Sequence, residues 1–140
     1  MNDQKDSIII ELVVGAVQME PDNIWMQGNL EIFINTRKPY HENSDIIDVN
    51  ALLQSMEEEG EFFIFSCCCG VPSCSGWEKG ISVKHKGDTI EWTNGNTNET
   101  WILERQCMEE DIATIRTEVM NFKKYFAEKD IRYVGVGYTW

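Results

Sequence analysis

The sequence has little positive charge. Twelve Lys and Arg stand against 24 Asp and Glu, for a formal net charge of -12. Gripping a phosphate backbone takes a cluster of cations, so no nucleic-acid partner is expected. Long apolar runs are missing too. The longest, Ile8 to Val17, is interrupted by Glu11 and is too short for a helix that spans a bilayer, so no membrane partner is expected. Ahead of it, Asp3 and Asp6 outweigh Lys5, which is wrong for a secretory signal. Histidine is scarce: His41 and His85 leave few places for a hydrolase built on a histidine base. The patterns G-x-x-x-x-G-K-[ST], G-x-G-x-x-G and H-E-x-x-H do not occur, and Gly135-Val136-Gly137 is too short to stand for a phosphate loop. No catalytic residue is therefore assigned, and a non-enzymatic role is expected.

What is present fits one soluble domain. The chain has 140 residues, of which 42% are hydrophobic and 11% aromatic, enough to bury an ordinary core. Acid is concentrated between His41 and Gly80, where Glu42, Asp45, Asp48, Glu57, Glu58, Glu59, Glu61 and Glu78 face Lys79 alone. Such charge serves solubility first. Glu57, Glu58 and Glu59 also form a candidate surface for a basic protein partner, attracted at a rate that falls as salt rises.

The hydrophobic pattern predicts an α+β domain spanning residues 1–140, with a mainly antiparallel sheet and two helices packed on one face. Ile8 to Val17 is apolar on both parities and reads as a strand buried on both faces. Pro21-Asp22-Asn23 and Gln27-Gly28-Asn29 read as turns, with Trp25 and Met26 between them as core plugs. Leu30, Ile32 and Ile34 alternate as a second strand, and Arg37 to His41 is loop. A helix is predicted over Asp48 to Glu59. Asp48 caps it, Val49, Leu52, Leu53 and Met56 share one side, and Gly60 supplies a left-handed end. Glu61 to Ser66 reads as one short strand. Gly87-Asp88 suits a two-residue hairpin turn that pairs Lys86 with Thr89, His85 with Ile90 and Val83 with Trp92. Thr100 to Glu104 is a further strand. Met108, Ile112, Ile115, Val119, Phe122 and Phe126 then draw one apolar stripe along a long helix, and Arg132 to Tyr138 adds a last strand.

The main functional clue is FSCCCGVPSCSG, from Phe65 to Gly76, which holds four of the five cysteines. In extended chain Cys67 and Cys69 share a face and Cys68 opposes them. Gly70 and Pro72 can turn the chain and return Cys74 toward that pair. Three readings stay open. The cysteines are small apolar residues packed at a corner. Or they are thiolate ligands of a zinc ion whose fourth ligand is His85, Cys107 or Cys68. Or one is a reactive redox thiol, although no C-x-x-C occurs and Lys79 is the only cation near in sequence. An odd cysteine count with four crowded together agrees with a reducing compartment, so the cytoplasm is the expected location.

The segment FFIFSCCCGVPSCSG, followed by a strand and GDTIEW, resembles a group of small uncharacterised bacterial proteins. Their motif, F-x-C-x-C-G-x-P-x-C-x-G before a β-hairpin ending in Trp, matches Phe65, Cys67, Cys69, Gly70, Pro72, Cys74, Gly76 and Trp92. The resemblance runs from about Leu30 to Trp101. It departs at Cys68, where a small polar residue is more usual, and Cys107 lies outside it. The resemblance implies an accessory or immunity-type protein of bacterial conflict systems. The sequence thus carries two leading expectations: a protein-binding module using an acidic surface, and a small zinc protein held by Cys67, Cys69, Cys74 and His85.

Overall fold

A computed structural model describes residues 4–140. The chain forms β1 (Ile8–Glu20), β2 (Asn23–Ile34), β3 (Asp45–Ile47), α1 (Val49–Glu57), β4 (Gly60–Phe62), β5 (Phe65–Cys67), a 3-10 turn (Pro72–Ser75), β6 (Ile81–Lys86), β7 (Thr89–Asn94), β8 (Thr100–Glu104), α2 (Arg105–Glu128) and β9 (Tyr133–Val136). This is the expected α+β domain. Its strands fall into three sheets, ordered β1-β2-β9, β3-β5 and β4-β6-β7-β8, and every pairing is antiparallel except β2 with β9. Neither helix is long and apolar enough to cross a membrane.

The β6–β7 hairpin has the register read from the sequence, with Lys86 on Thr89, His85 on Ile90 and Val83 on Trp92. Helix α2 buries Met108, Ile112, Ile115 and Val119 in the same core as Ile8, Ile10, Leu30, Ile32 and Ile34. Phe122 and Phe126, lower on the stripe, are half-buried and stacked on each other. Helix α1 lies beside α2: Leu53 and Met56 share a cleft with Ile112 and Arg116, and Arg105 donates to the Met56 carbonyl at 2.9 Å. Its Asp48 cap accepts from the Ala51 N–H at 3.1 Å.

Several expectations need correction. β1 is buried on one face only, with Ile8 and Ile10 inward and Ile9 and Val13 exposed, because α2 covers a single side of its sheet. Gln27-Gly28-Asn29 is no turn but the middle of β2, paired with Gly15 and its neighbours in β1 and with β9. Trp25 and Met26 are only half-buried, since they lie toward the outer end of that hairpin. Helix α1 stops at Glu57 because Glu58 turns extended, and Gly60 opens β4 instead of closing the helix. The predicted strand from Glu61 splits. β4 joins β6, while β5 crosses to β3, a three-residue strand for which no element was expected.

Gly28 has a steric reason. The hydroxyls of Tyr133 and Tyr138 hydrogen-bond each other over it, and a Cβ there would collide with both. Gly28→Ala is expected to lower stability in urea unfolding by about 1–3 kcal/mol, the usual range for overpacking. Adding Tyr133→Phe, which removes one of the clashing hydroxyls, should recover part of that loss. A neutral Gly28→Ala would contradict the close approach.

Candidate metal centre

The cysteine loop is fixed at both ends by β3. Strand β5 pairs Cys67 with Asp45, and the Cys68 N–H continues the ladder to the Ser44 carbonyl at 2.8 Å. The chain then reverses. Gly70 (φ +91°) donates to the Cys67 carbonyl at 2.9 Å, Pro72 opens the 3-10 turn, and Gly76 (φ +99°) closes it in a left-handed conformation that a side chain would resist. Trp77 follows at once and returns to the core. Its ring packs on Phe65 at 5.4 Å, and its Nε1 donates to Asp45 Oδ2 at 2.9 Å. The same oxygen accepts from the His41 N–H at 2.8 Å, while Asp45 Oδ1 is buried with no hydrogen-bond partner among the described residues.

This path brings Cys67, Cys69 and Cys74 together, with their sulfurs all within 4.8 Å of one another. Three thiols so placed lie close enough to hold a metal ion. Sulfurs bound tetrahedrally at a zinc–sulfur distance of about 2.3 Å stand about 3.8 Å apart, so ligation needs only a small inward rotation. Cys67 is buried, whereas Cys69 and Cys74 are exposed. The packed-corner reading therefore describes Cys67 alone. In that reading Cys69 packs inward with Cys67, but β5 ends at Cys67 and the turn carries Cys69 outward.

The three thiols are not equivalent. The Cys74 thiol, then the Val71 backbone and the Cys67 thiol, favour Cys69 as a thiolate and lower its pKa. Cys74 is pushed up in return, chiefly by that same contact with Cys69. At Cys67 the Cys69 backbone hydrogen bond pulls downward, but the hydrogen bond to the Cys69 side chain and desolvation outweigh it, and the net shift is upward. Of the three, Cys69 gives up its proton most readily, and Cys67 and Cys74 hold theirs more tightly.

The structure does not bring the expected fourth ligands to this cluster. His85 lies on β6, its Nε2 at 2.8 Å from the Ser55 carbonyl of α1 and its backbone N–H on Glu59 at 2.9 Å. Cys107 sits in the first turn of α2, 3.7 Å from Glu104 Oε1. Cys68 is exposed and stands outside the group. Among the described residues, the cluster consists of three thiols and has a solvent-facing side formed by Cys69 and Cys74. Glu57, Glu58 and Glu59 are all exposed at the end of α1. Gln54 donates to Glu58 at 2.7 Å, and among the described residues no Lys or Arg forms an ion pair with any of the three.

Sequence reasoning missed Asp45 and Trp77. Asp45 looked like one more solubilising acid, and Trp77 follows Gly76 with no periodicity to mark it as core. Comparison with protein-family models, with curated proteins and with solved structures gives no match.

Asp45→Ala removes the acceptor shared by His41 and Trp77 and should cost about 1–3 kcal/mol in urea unfolding, the penalty for stranded buried donors. Asp45→Asn keeps one acceptor oxygen and should cost less. In Asp45→Ala the Cys67 thiol should also label faster, because the loop loses its anchor. Equal labelling rates in the two variants would rule out that anchoring.

Proposed function

We propose that this chain is a small metal-binding protein whose Cys67, Cys69 and Cys74 hold a zinc ion as thiolates. One observation carries the reading: three sulfurs from the short segment Cys67 to Cys74 gather within 4.8 Å on a loop anchored twice to β3. Thiolate donors select soft or borderline cations, and a set of three with a solvent-facing fourth position suits zinc with an exchangeable ligand. The Cys67 side of the site is desolvated and the Cys69–Cys74 side is open, so the ion would be both held by the fold and reachable from solution. A reducing cytoplasm would keep the three thiols available as ligands.

A second reading is compatible with it. Glu57, Glu58 and Glu59 are exposed and lack a cation partner among the described residues, which supports docking of a basic protein by charge. The motif resemblance supports an accessory or immunity-type setting for such a module, with the metal-bound loop as a rigid part of its surface.

The metal reading is tested on protein purified without a His-tag. Native mass spectrometry should find zinc near one ion per chain, and Cys69→Ser should abolish that occupancy and lower the melting temperature, while Cys68→Ser changes neither. Loss of metal with Cys68→Ser and not with Cys69→Ser would refute the assignment.

The pH dependence has a definite sign. Cys67 and Cys74 are raised, so at neutral pH they are thiols that the metal must deprotonate. Affinity should therefore climb as pH rises and fall as pH drops, with protons released on binding. Titration with cadmium, followed by the sulfur-to-metal charge-transfer band, reads this directly. A flat profile would show that the two raised thiols are not ligands.

A further inference from the structure

Specific contacts cover several strand edges of the fold. Along the open side of β8, Asp6 donates its N–H to the Ile102 carbonyl and accepts from the Ile102 N–H, both at 2.8 Å. At the start of β1, the Ile10 N–H is taken by Asp111 Oδ2 of α2 at 2.9 Å. The far edge of β2 is occupied by β9. Beyond Ile10 the protection of β1 stops. Odd-numbered residues of β1 exchange their hydrogen bonds with β2, as the Ser7–Asn35 bond sets the phase, so Leu12, Val14 and Ala16 turn their N–H and C=O groups outward. Among the described residues, no strand pairs with that edge.

From Leu12 to Gln18 the stretch keeps one register with β2, and the one irregularity of β1 comes after it, between Gln18 and Glu20. Leu12 to Met19 reads LVVGAVQM, with no charge and no proline between Glu11 and Glu20. In a chain of net charge -12 this is an uncharged window. Exposed apolar side chains gather around it: Ile9 (51%), Val13 (39%), Met19 (71%) and Ile24 (50%). Gly15 stands at its middle, and a Cβ there would meet no atom within 4 Å, so neither crowding nor a positive φ within the chain explains the glycine. Glycine inside a strand commonly marks the close approach of another backbone.

We infer that β1 is an association edge and that its occupant is β1 of a second copy, running antiparallel about a two-fold axis at Gly15. The outward-facing parity allows this register: Leu12 meets Gln18 and Val14 meets Ala16 as hydrogen-bonded pairs, while Gly15 meets itself. On the exposed face Val13 then lies opposite Val17 of the second copy, an apolar cross-strand pair. Glu11 falls opposite Met19, and Glu20 reaches Ile10, whose N–H Asp111 already holds. Between Leu12 and Gln18 no acid faces an acid, and Glu20 meets the Asp111 carboxylate only at the two ends of the register, which is how two strongly acidic chains can meet here. The inference does not depend on metal binding, because the cysteine loop is on other strands.

Sedimentation velocity from micromolar to millimolar protein tests it, on the full chain with and without zinc. A concentration-dependent dimer is expected. Ala16→Lys should weaken it by about tenfold or more, since two like charges then flank the axis. Val14→Pro removes an outward donor that β2 does not use and should act likewise. Circular dichroism checks that both variants remain folded. Gly15→Cys under mild oxidation should give a covalent dimer cross-linked through position 15, identified by peptide mass. A monomer at every concentration overturns the proposal, including the case in which a strand of a different protein fills the edge. So does a dimer that Ala16→Lys leaves unchanged, or one cross-linked only through native cysteines.

Discussion

The Asp45 carboxylate is the contact on which the candidate site depends. One buried oxygen accepts from the backbone of His41 and from the indole of Trp77. The residue itself pairs across the strand with Cys67. These three contacts tie the loop before β3, the strand that opens the cysteine segment and the residue that closes it. A carboxylate accepting from neutral donors makes stronger bonds than an amide or hydroxyl would, and burial excludes competing water. Without it, the far end of the segment from Cys68 to Gly76 would keep the packing of Trp77 on Phe65 but lose its hydrogen bond to β3. The sulfurs converge because the loop has two fixed ends and a length that forces it to fold back between them.

That Cys74 could return toward Cys67 and Cys69 was legible in the sequence, because a chain reversal rests on local chemistry. Gly70 and Gly76 supply positive φ, Pro72 starts a tight turn, and cysteines on either side of such a reversal meet. The β6–β7 register was legible for a similar reason, since a two-residue Gly-Asp turn leaves one way to pair the flanking strands. The stripe on α2 was readable from spacing alone. What escaped the sequence is long-range. β3 is three residues long and has no periodicity to announce it, yet it supplies Asp45. Gly28 looked like turn material until Tyr133 and Tyr138, more than a hundred residues later, were placed above it. His85 was put on the correct face by its hairpin, but its partner, the Ser55 carbonyl, belongs to α1 and not to the cysteine loop. Parity fixes which way a side chain points. It does not fix what lies there.

The burial of the three cysteines bears on which chemistry the site suits. Cysteines that only fill space are buried together, as the packed-corner reading requires. Here Cys67 is buried and the other two face solvent within reach of it. Exposed thiols gain nothing from packing, so their proximity needs another account. A shared cation supplies one, because it replaces mutual repulsion between thiolates with bonds to a common centre. Their unequal proton affinities follow from the same proximity: Cys69 is favoured as a thiolate by the Cys74 and Cys67 thiols, and Cys74 is raised in return. The overall acidity of the chain adds a weak long-range attraction for any cation.

The edges of the sheets reveal the same economy of means. Asp6 and Asp111, two acids in a chain that has acid to spare, are used as backbone acceptors where strand edges would otherwise be open. Each sits where the N-terminal segment or α2 passes close to an edge. The distal half of β1 lies beyond the reach of both, and its sequence contains no acid to serve in their place. An edge that is open for lack of a nearby element would be expected to carry charge or proline, as exposed edges generally do. That β1 instead runs uncharged from Leu12 to Met19, with a glycine at its centre, is the pattern of a strand shaped to be paired. The acids that keep the rest of the molecule apart from its copies are absent from the one stretch where two copies would touch.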